Sequence, residues 1–300
     1  SVAIGLGTLQ DQNFTTATDS FNTAVGHGAA SSMTTGIKNT YIGGLAGDAT
    51  TDADENVAIG YDSLGTNTVG SASVAVGASA LRTQNPATAT SMYNTAIGHF
   101  AGYAVTTGIN NVLIGGLAGD ALTTAGNNVA IGYQAHSTDD LGSRNVSVGT
   151  EALSDMNFAT ATDSYNVAVG DQAGKRVTTG TQNTYIGGLS GDAATASVEN
   201  VAVGYQALSA DTLGSKNVAV GRMALLSQNF ATATDSYNVA VGHNAGQQIT
   251  TGVDNTLIGG LSGDAITDAD FNVAVGNSSL SANTVGSKNT AIGSSALLVK

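Results

Sequence analysis

The residues able to do chemistry are few, and each either recurs at a fixed interval or stands alone. Asp52 with Asp54, and Asp268 with Asp270, are acidic pairs that can catch a calcium ion with help from backbone carbonyls, or simply sit solvated in turns. Gly43-Gly44-Leu45-Ala46-Gly47-Asp48 invites comparison with the calcium-binding Gly-Gly-x-Gly-x-Asp nonapeptide, but its Asp is at the wrong offset and the nine-residue period is missing, so it reads as a turn. His27, His99 and His243 hold one recurring position that Asp171 holds in the remaining copy, while His136 has Leu64, Leu208 and Leu280 as counterparts. Three copies of one His meeting on a symmetry axis would bind a metal or an anion; a solvated ring is the plainer reading. Glu151 and Glu199 break the pattern, yet neither has an evident carboxylate partner for glycoside hydrolysis. With no Cys nucleophile, no metal-binding His spacing and no phosphate-cradling loop, the expectation is a non-enzyme with no cofactor and no metal site.

Aromatics beside threonines are the remaining candidates. One loop, residues 13–21, returns at 85–93, 157–165 and 229–237. It offers Phe14, Thr16 and Thr18, then Thr88, Thr90 and Tyr93, then Phe158, Thr160 and Thr162, then Phe230, Thr232 and Thr234, as a ligand-touching ledge; Tyr165 and Tyr237 add ring faces, and Pro86 replaces Phe in the second copy. The competing reading, and the favoured one, has the rings tucked under the loop to pin it. Thr-Ala-Thr resembles the arrays of ice-binding solenoids, but an ice face needs such a pair on every rung and here it comes once in 72 residues.

What positions these loops is a repeated phrase, Asn-Val-Ala-Val-Gly in its commonest form. It appears seventeen times, with closing glycines from Gly5 to Gly293 separated by 21, 17, 17 and 17 residues in strict rotation. The result is a 72-residue super-repeat in four copies, 6–77, 78–149, 150–221 and 222–293. Such periods are too short for helix pairs, and the phrase alternates as a strand does, so the chain is predicted to be all-β: a parallel β-roll or β-solenoid of about 17 coils, a single domain over 1–300. Stacked at roughly 4.8 Å per coil it would extend on the order of 80 Å. Val57 and Ile59 are expected inside, Asn56 and Ala58 outside. The outward Ala face, broken only by Tyr41, Leu113, Tyr185 and Leu257, is then the expected oligomer interface, because a narrow coil buries little surface alone. Asn opens fifteen phrases, with Ser1 and Ser73 as exceptions, and should ladder from coil to coil.

Composition narrows the function classes. A net charge of -13 repels phosphate backbones and anionic lipid, so nucleic acid is excluded as a partner, and no apolar run is long enough for membrane insertion. The absence of Cys leaves the compartment open. The chain starts on the phrase and stops just after the last one, and is expected to be an excised window of a longer fibre protein with its caps elsewhere.

The phrase Asn-(Ser/Thr/Val)-Ala-(Ile/Val)-Gly, followed by x-x-(Ala/Ser), resembles the head repeat of trimeric autotransporter adhesins (YadA-like). The longer turns, such as 94–114, are similar to repeats in phage tail-fibre proteins. The resemblance implies a left-handed parallel β-roll, homotrimeric, extracellular, at a cell surface or on a virion, working as an attachment fibre. Its partners would be itself and a cell-surface glycan or protein receptor. Two alternatives stand beside this: a structural filament or sheath component without a ligand, and a polysaccharide-degrading tailspike.

Overall fold

The computed structural model describes residues 1–298, which contain short strands and turns and no helix. They fall into two compact units, Ser1–Asn145 with Asn157–Asp163, and Val146–Met156 with the chain from Ser164 on. Each is a parallel β-solenoid. Three-residue strands open at Val2, Thr23, Thr40, Val57, Val74, Thr95, Val112 and Val129 in the first unit, and at Val146, Val167, Thr184, Val201, Val218, Val239, Thr256, Val273 and Thr290 in the second. That is one strand per phrase, seventeen coils in all.

Neighbouring rungs pair without slippage. In the second unit Ala168, Tyr185, Ala202, Ala219, Ala240, Leu257 and Ala274 face one another in sequence. The four extra residues of each long coil leave this register untouched. They bulge into the loop, where a second short pairing holds three of the copies: Gly70–Ser71 with Thr90–Ser91, Gly142–Ser143 with Thr162–Asp163, and Gly214–Ser215 with Thr234–Asp235.

The glycine that closes the phrase is demanded by geometry. Gly204 has φ +138°, and a Cβ there would lie 2.5 Å from the Gly221 carbonyl oxygen. The backbone turns on the next rung, and no side chain fits between.

Alternation along the strand is as expected, but its two faces are exchanged. Ala58, Ala75, Ala202 and Ala219 are fully buried, whereas Val57 is half-buried and Ile59 exposed. Asn56, of the same parity as Ala58, is also fully buried. The reason is width. The two walls of a 17-residue coil approach so closely that Ala, with Ser or an occasional Leu or Tyr, fills the space between strand and turn. Tyr41, Leu113, Tyr185 and Leu257 therefore lie in the core and not at an oligomer interface; side chains with essentially no exposed surface cannot touch a second chain. Their bulk is accommodated by glycines opposite. A Cβ at Gly191 would stand 2.3 Å from the Tyr185 ring, and one at Gly119 2.6 Å from Leu113. Burial pushes the Tyr41 and Tyr185 phenols up to about 12. Across the coil from the strands, Ala135, Ala207 and Leu208 are buried and form the second wall.

The asparagine ladder is present. Asn183 Oδ1 accepts the Asn200 backbone N–H at 3.0 Å, while its Nδ2 donates to the Ser197 carbonyl at 2.9 Å. Each amide thus joins its own coil's turn to the next rung, satisfying buried backbone groups that no strand reaches. At Ser73 the missing amide is replaced from the side: Gln84 Nε2 donates to Ser73 Oγ at 3.0 Å.

Candidate functional site

The four recurring loops share one local device. A threonine hydroxyl bonds the carbonyl two residues back, Thr18 to Thr16, Thr90 to Thr88, Thr162 to Thr160 and Thr234 to Thr232, at 2.8–3.1 Å. This tight turn leaves Thr16, Thr18, Thr88, Thr160 and Thr232 exposed, with Thr90, Thr162 and Thr234 half-buried. The loop aromatics divide. Phe158 and Phe230 are 6% exposed, so they pin the loop and cannot form part of a ligand ledge. The Phe158 amide N–H reaches Asp139 Oδ1 at 3.4 Å, and its ring lies where a Cβ on Gly142 would come within 3.0 Å. Pro86 is buried in the same role, and Phe14 is half-buried. Phe21, Tyr93, Tyr165 and Tyr237 are exposed, each at φ near +50°.

A shallow groove runs beside the first loop, lined by Phe14, Thr16, Thr18, Thr35, Ile37 and Asp54 among others. Asp54 is engaged: its Oδ1 accepts the Ile37 N–H at 2.8 Å, as Asp270 does for Val253. One carboxylate of each acidic pair is thus a rung-to-rung strut, and among the described residues no cluster of three or more His, Asp or Glu is placed to hold a metal. Glu151 is held too, accepting from Gln172 at 2.9 Å and from Lys175 at 2.5 Å, and the lysine beside it keeps its carboxyl below the usual range. Arg144 and Lys216 pair with Asp163 and Asp235 at 2.9 and 2.6 Å on the surface.

Two features escaped the sequence reading. The first is the outer strand face. In the second unit Val169, Ile186, Val201, Ile258 and Val273 are 36–39% exposed on paired strands, and the first unit shows the same at Ile42, Ile59 and Ile97. Assigning Val and Ile to the interior hid this face.

The second is a polar and aromatic cluster in the turn after the strands of the first unit. Asp62, Arg82 and Tyr103 stand on three successive rungs. Arg82 Nε pairs with Asp62, its Nη1 donates to the Tyr103 hydroxyl at 3.3 Å, and its guanidinium lies 5.8 Å from the Tyr103 ring centre. Phe100 meets Tyr103 edge-on at 5.0 Å and His99 at 4.2 Å. The signal was in the repeats: at the places of Arg82, Phe100 and Tyr103 the fourth super-repeat carries Leu226, Asn244 and Gln247. Reading each position only for what recurs passes over what departs.

No protein family, curated protein or solved structure matches the chain.

Proposed function

We propose that this chain is the shaft of an extracellular attachment fibre, a homotrimer standing on a cell surface or a virion and acting without catalysis. The observation that carries the reading is the outer strand face. A continuous row of partly exposed Val and Ile along paired rungs, such as Val169, Ile186, Val203 and Val220, is an apolar stripe that monomeric proteins seldom leave in water. A second copy of the same chain is the natural cover, because an identical rung spacing lets every rung meet its counterpart. The resemblance of the phrase to trimeric adhesin heads and phage fibres supports three chains and export. Attachment falls to the turns and loops, since the strand residues are spent on core and stripe, and repetition along the shaft would multiply weak contacts.

Light scattering on the purified chain tests the assembly: a mass of three chains is expected, and a monomer overturns it. Ile186→Lys with Ile258→Lys should dissociate the assembly while leaving the circular dichroism of each solenoid in place. Adherence of labelled protein to cells tests attachment, and a trimer that adheres to nothing would make this a filament without a ligand.

A further inference from the structure

We propose that the turn cluster of the first unit is a binding site for one ring of an uncharged oligosaccharide, seated over Ala78 between Tyr61 and His99, with its hydroxyls on the Arg82–Asp62 pair. The proposal rests on the attachment reading and gives it a ligand class and an address.

Its geometry comes from the stacking of rungs. Ser79 N–H bonds the Tyr61 carbonyl at 2.9 Å and Phe100 N–H bonds the Ala78 carbonyl at 3.1 Å, so Tyr61, Ala78 and His99 occupy one column on consecutive rungs. Tyr61 and His99 are exposed and stand two rungs apart, roughly 10 Å, with only a methyl group between them. Beside this notch, Phe100 and Tyr103 add ring surface and Arg82 and Asp62 add donors and acceptors already held together as an ion pair. Rings flanking a preorganised donor–acceptor pair are the chemistry that recognises a sugar, whose faces are apolar C–H surfaces and whose rim is hydroxyl. An acidic sugar is disfavoured. The one cation is neutralised by Asp62, Asp48 stands near enough to feel Asp62's charge, and the whole chain is strongly acidic.

The second unit supplies an internal control. There the same column reads Tyr205, Arg222, His243, and Arg222 fills the notch, its Nη1 3.3 Å from His243 Nε2. The flanking positions are Gln206, Leu226, Asn244 and Gln247. The two columns share a backbone and differ in the open floor and the surrounding rings. A scaffolding role for the cluster does not account for this, since the solenoid forms the same turn with neither Phe nor Tyr there.

The control also furnishes the test. Ala78→Arg copies Arg222, and Phe100→Asn with Tyr103→Gln copies Asn244 and Gln247, so each variant places a residue this turn already tolerates. The full chain is applied to an array of neutral and acidic oligosaccharides, and the strongest neutral hit is titrated by NMR. Neutral glycans should bind, and both variants should weaken binding at least tenfold with the melting temperature unchanged. Binding that survives both variants overturns the site, as does binding confined to acidic glycans or none at all. Cell adherence run in parallel separates the two levels: a variant that loses glycan but adheres leaves attachment to the loops, while a parent chain that adheres to no cell sinks the attachment reading itself.

Discussion

Asp139 accepts a hydrogen bond from His136 Nε2 at 2.9 Å, and both side chains are completely buried. Burial alone would push the Asp139 carboxyl up. The His136 contact and the N–H groups of Leu141 and Phe158 outweigh that and hold it below the usual range. A depressed carboxyl stabilises the fold above its unfolded value, roughly pH 4, and that stabilisation is lost as pH falls further, through the lowered folded value. His136→Leu, which copies Leu208, would strand a buried carboxylate and should cost about 3 kcal/mol at pH 7 in urea unfolding. Adding Asp139→Asn recreates the Leu64 and Asn67 pairing of the first super-repeat and should restore most of the loss; a double variant no better than the single one would mean that His136 acts through packing and not through its proton.

Asp211 holds the same place one super-repeat later with the opposite sign. Leu208 gives it no imidazole. Gln228 Nε2 donates at 2.7 Å and Gly214 N–H at 2.9 Å, yet burial prevails and its carboxyl is raised. A raised carboxyl means that the fold holds the proton more tightly than the open chain, so stability grows as pH falls from neutral toward roughly 4. Asn occupies this place at Asn67, where both ends of the amide bond Gly70, at 2.7 and 3.0 Å. Asp211→Asn should therefore stabilise the protein by about 1 kcal/mol at pH 7 and flatten its pH profile above pH 4. An unchanged profile would show that another group carries the dependence.

How much of this was legible from the sequence follows from what periodicity can carry. A period of 17 or 21 residues with a closing glycine states that the chain stacks, because every rung must present its glycine to the one above; Gly204 against Gly221 is that constraint in atoms. Alternation states that Asn56 and Ala58 share a face. It does not state which face is inside, since that depends on the gap between two walls whose separation appears only on folding. Val outranks Ala on any scale of burial, and here the narrow gap reverses the order. In the loops, the pinning role of Phe158 and Phe230 was legible as the plainer of two readings. The Arg82 cluster was not, because its members lie 20 and 21 residues apart and become neighbours only through the rung register.

The asparagine ladder makes a prediction of its own. Asn183 is fully buried, and its amide serves the Asn200 N–H and the Ser197 carbonyl together. Asn183→Ala would leave both without partners inside the coil, each orphan costing about 1–3 kcal/mol, so a loss of about 3 kcal/mol is expected in equilibrium unfolding. Amide hydrogen exchange should localise it, with protection falling first at Asn200. A loss below about 1 kcal/mol would show that water enters the turn and takes the place of the amide.

Tyr185 and Gly191 offer the strictest check on the exchanged faces. The Tyr185 ring fills the coil interior and leaves 2.3 Å to a Cβ at Gly191, which also has φ +57°. Gly191→Ala therefore meets two penalties, about 1 kcal/mol or more for a left-handed backbone and a further term for the clash. Tyr185→Ala empties the interior and should cost about 3–5 kcal/mol. The double variant should lose less than the two singles combined, by about 1–2 kcal/mol, because the new methyl then sits in vacated space. If Tyr185 faced outward against another chain, its truncation would lower the mass seen in light scattering while sparing each solenoid, and the two substitutions would add without coupling. The burial of Tyr185 requires the reverse: coupling in the melting temperature, and an unchanged mass in light scattering.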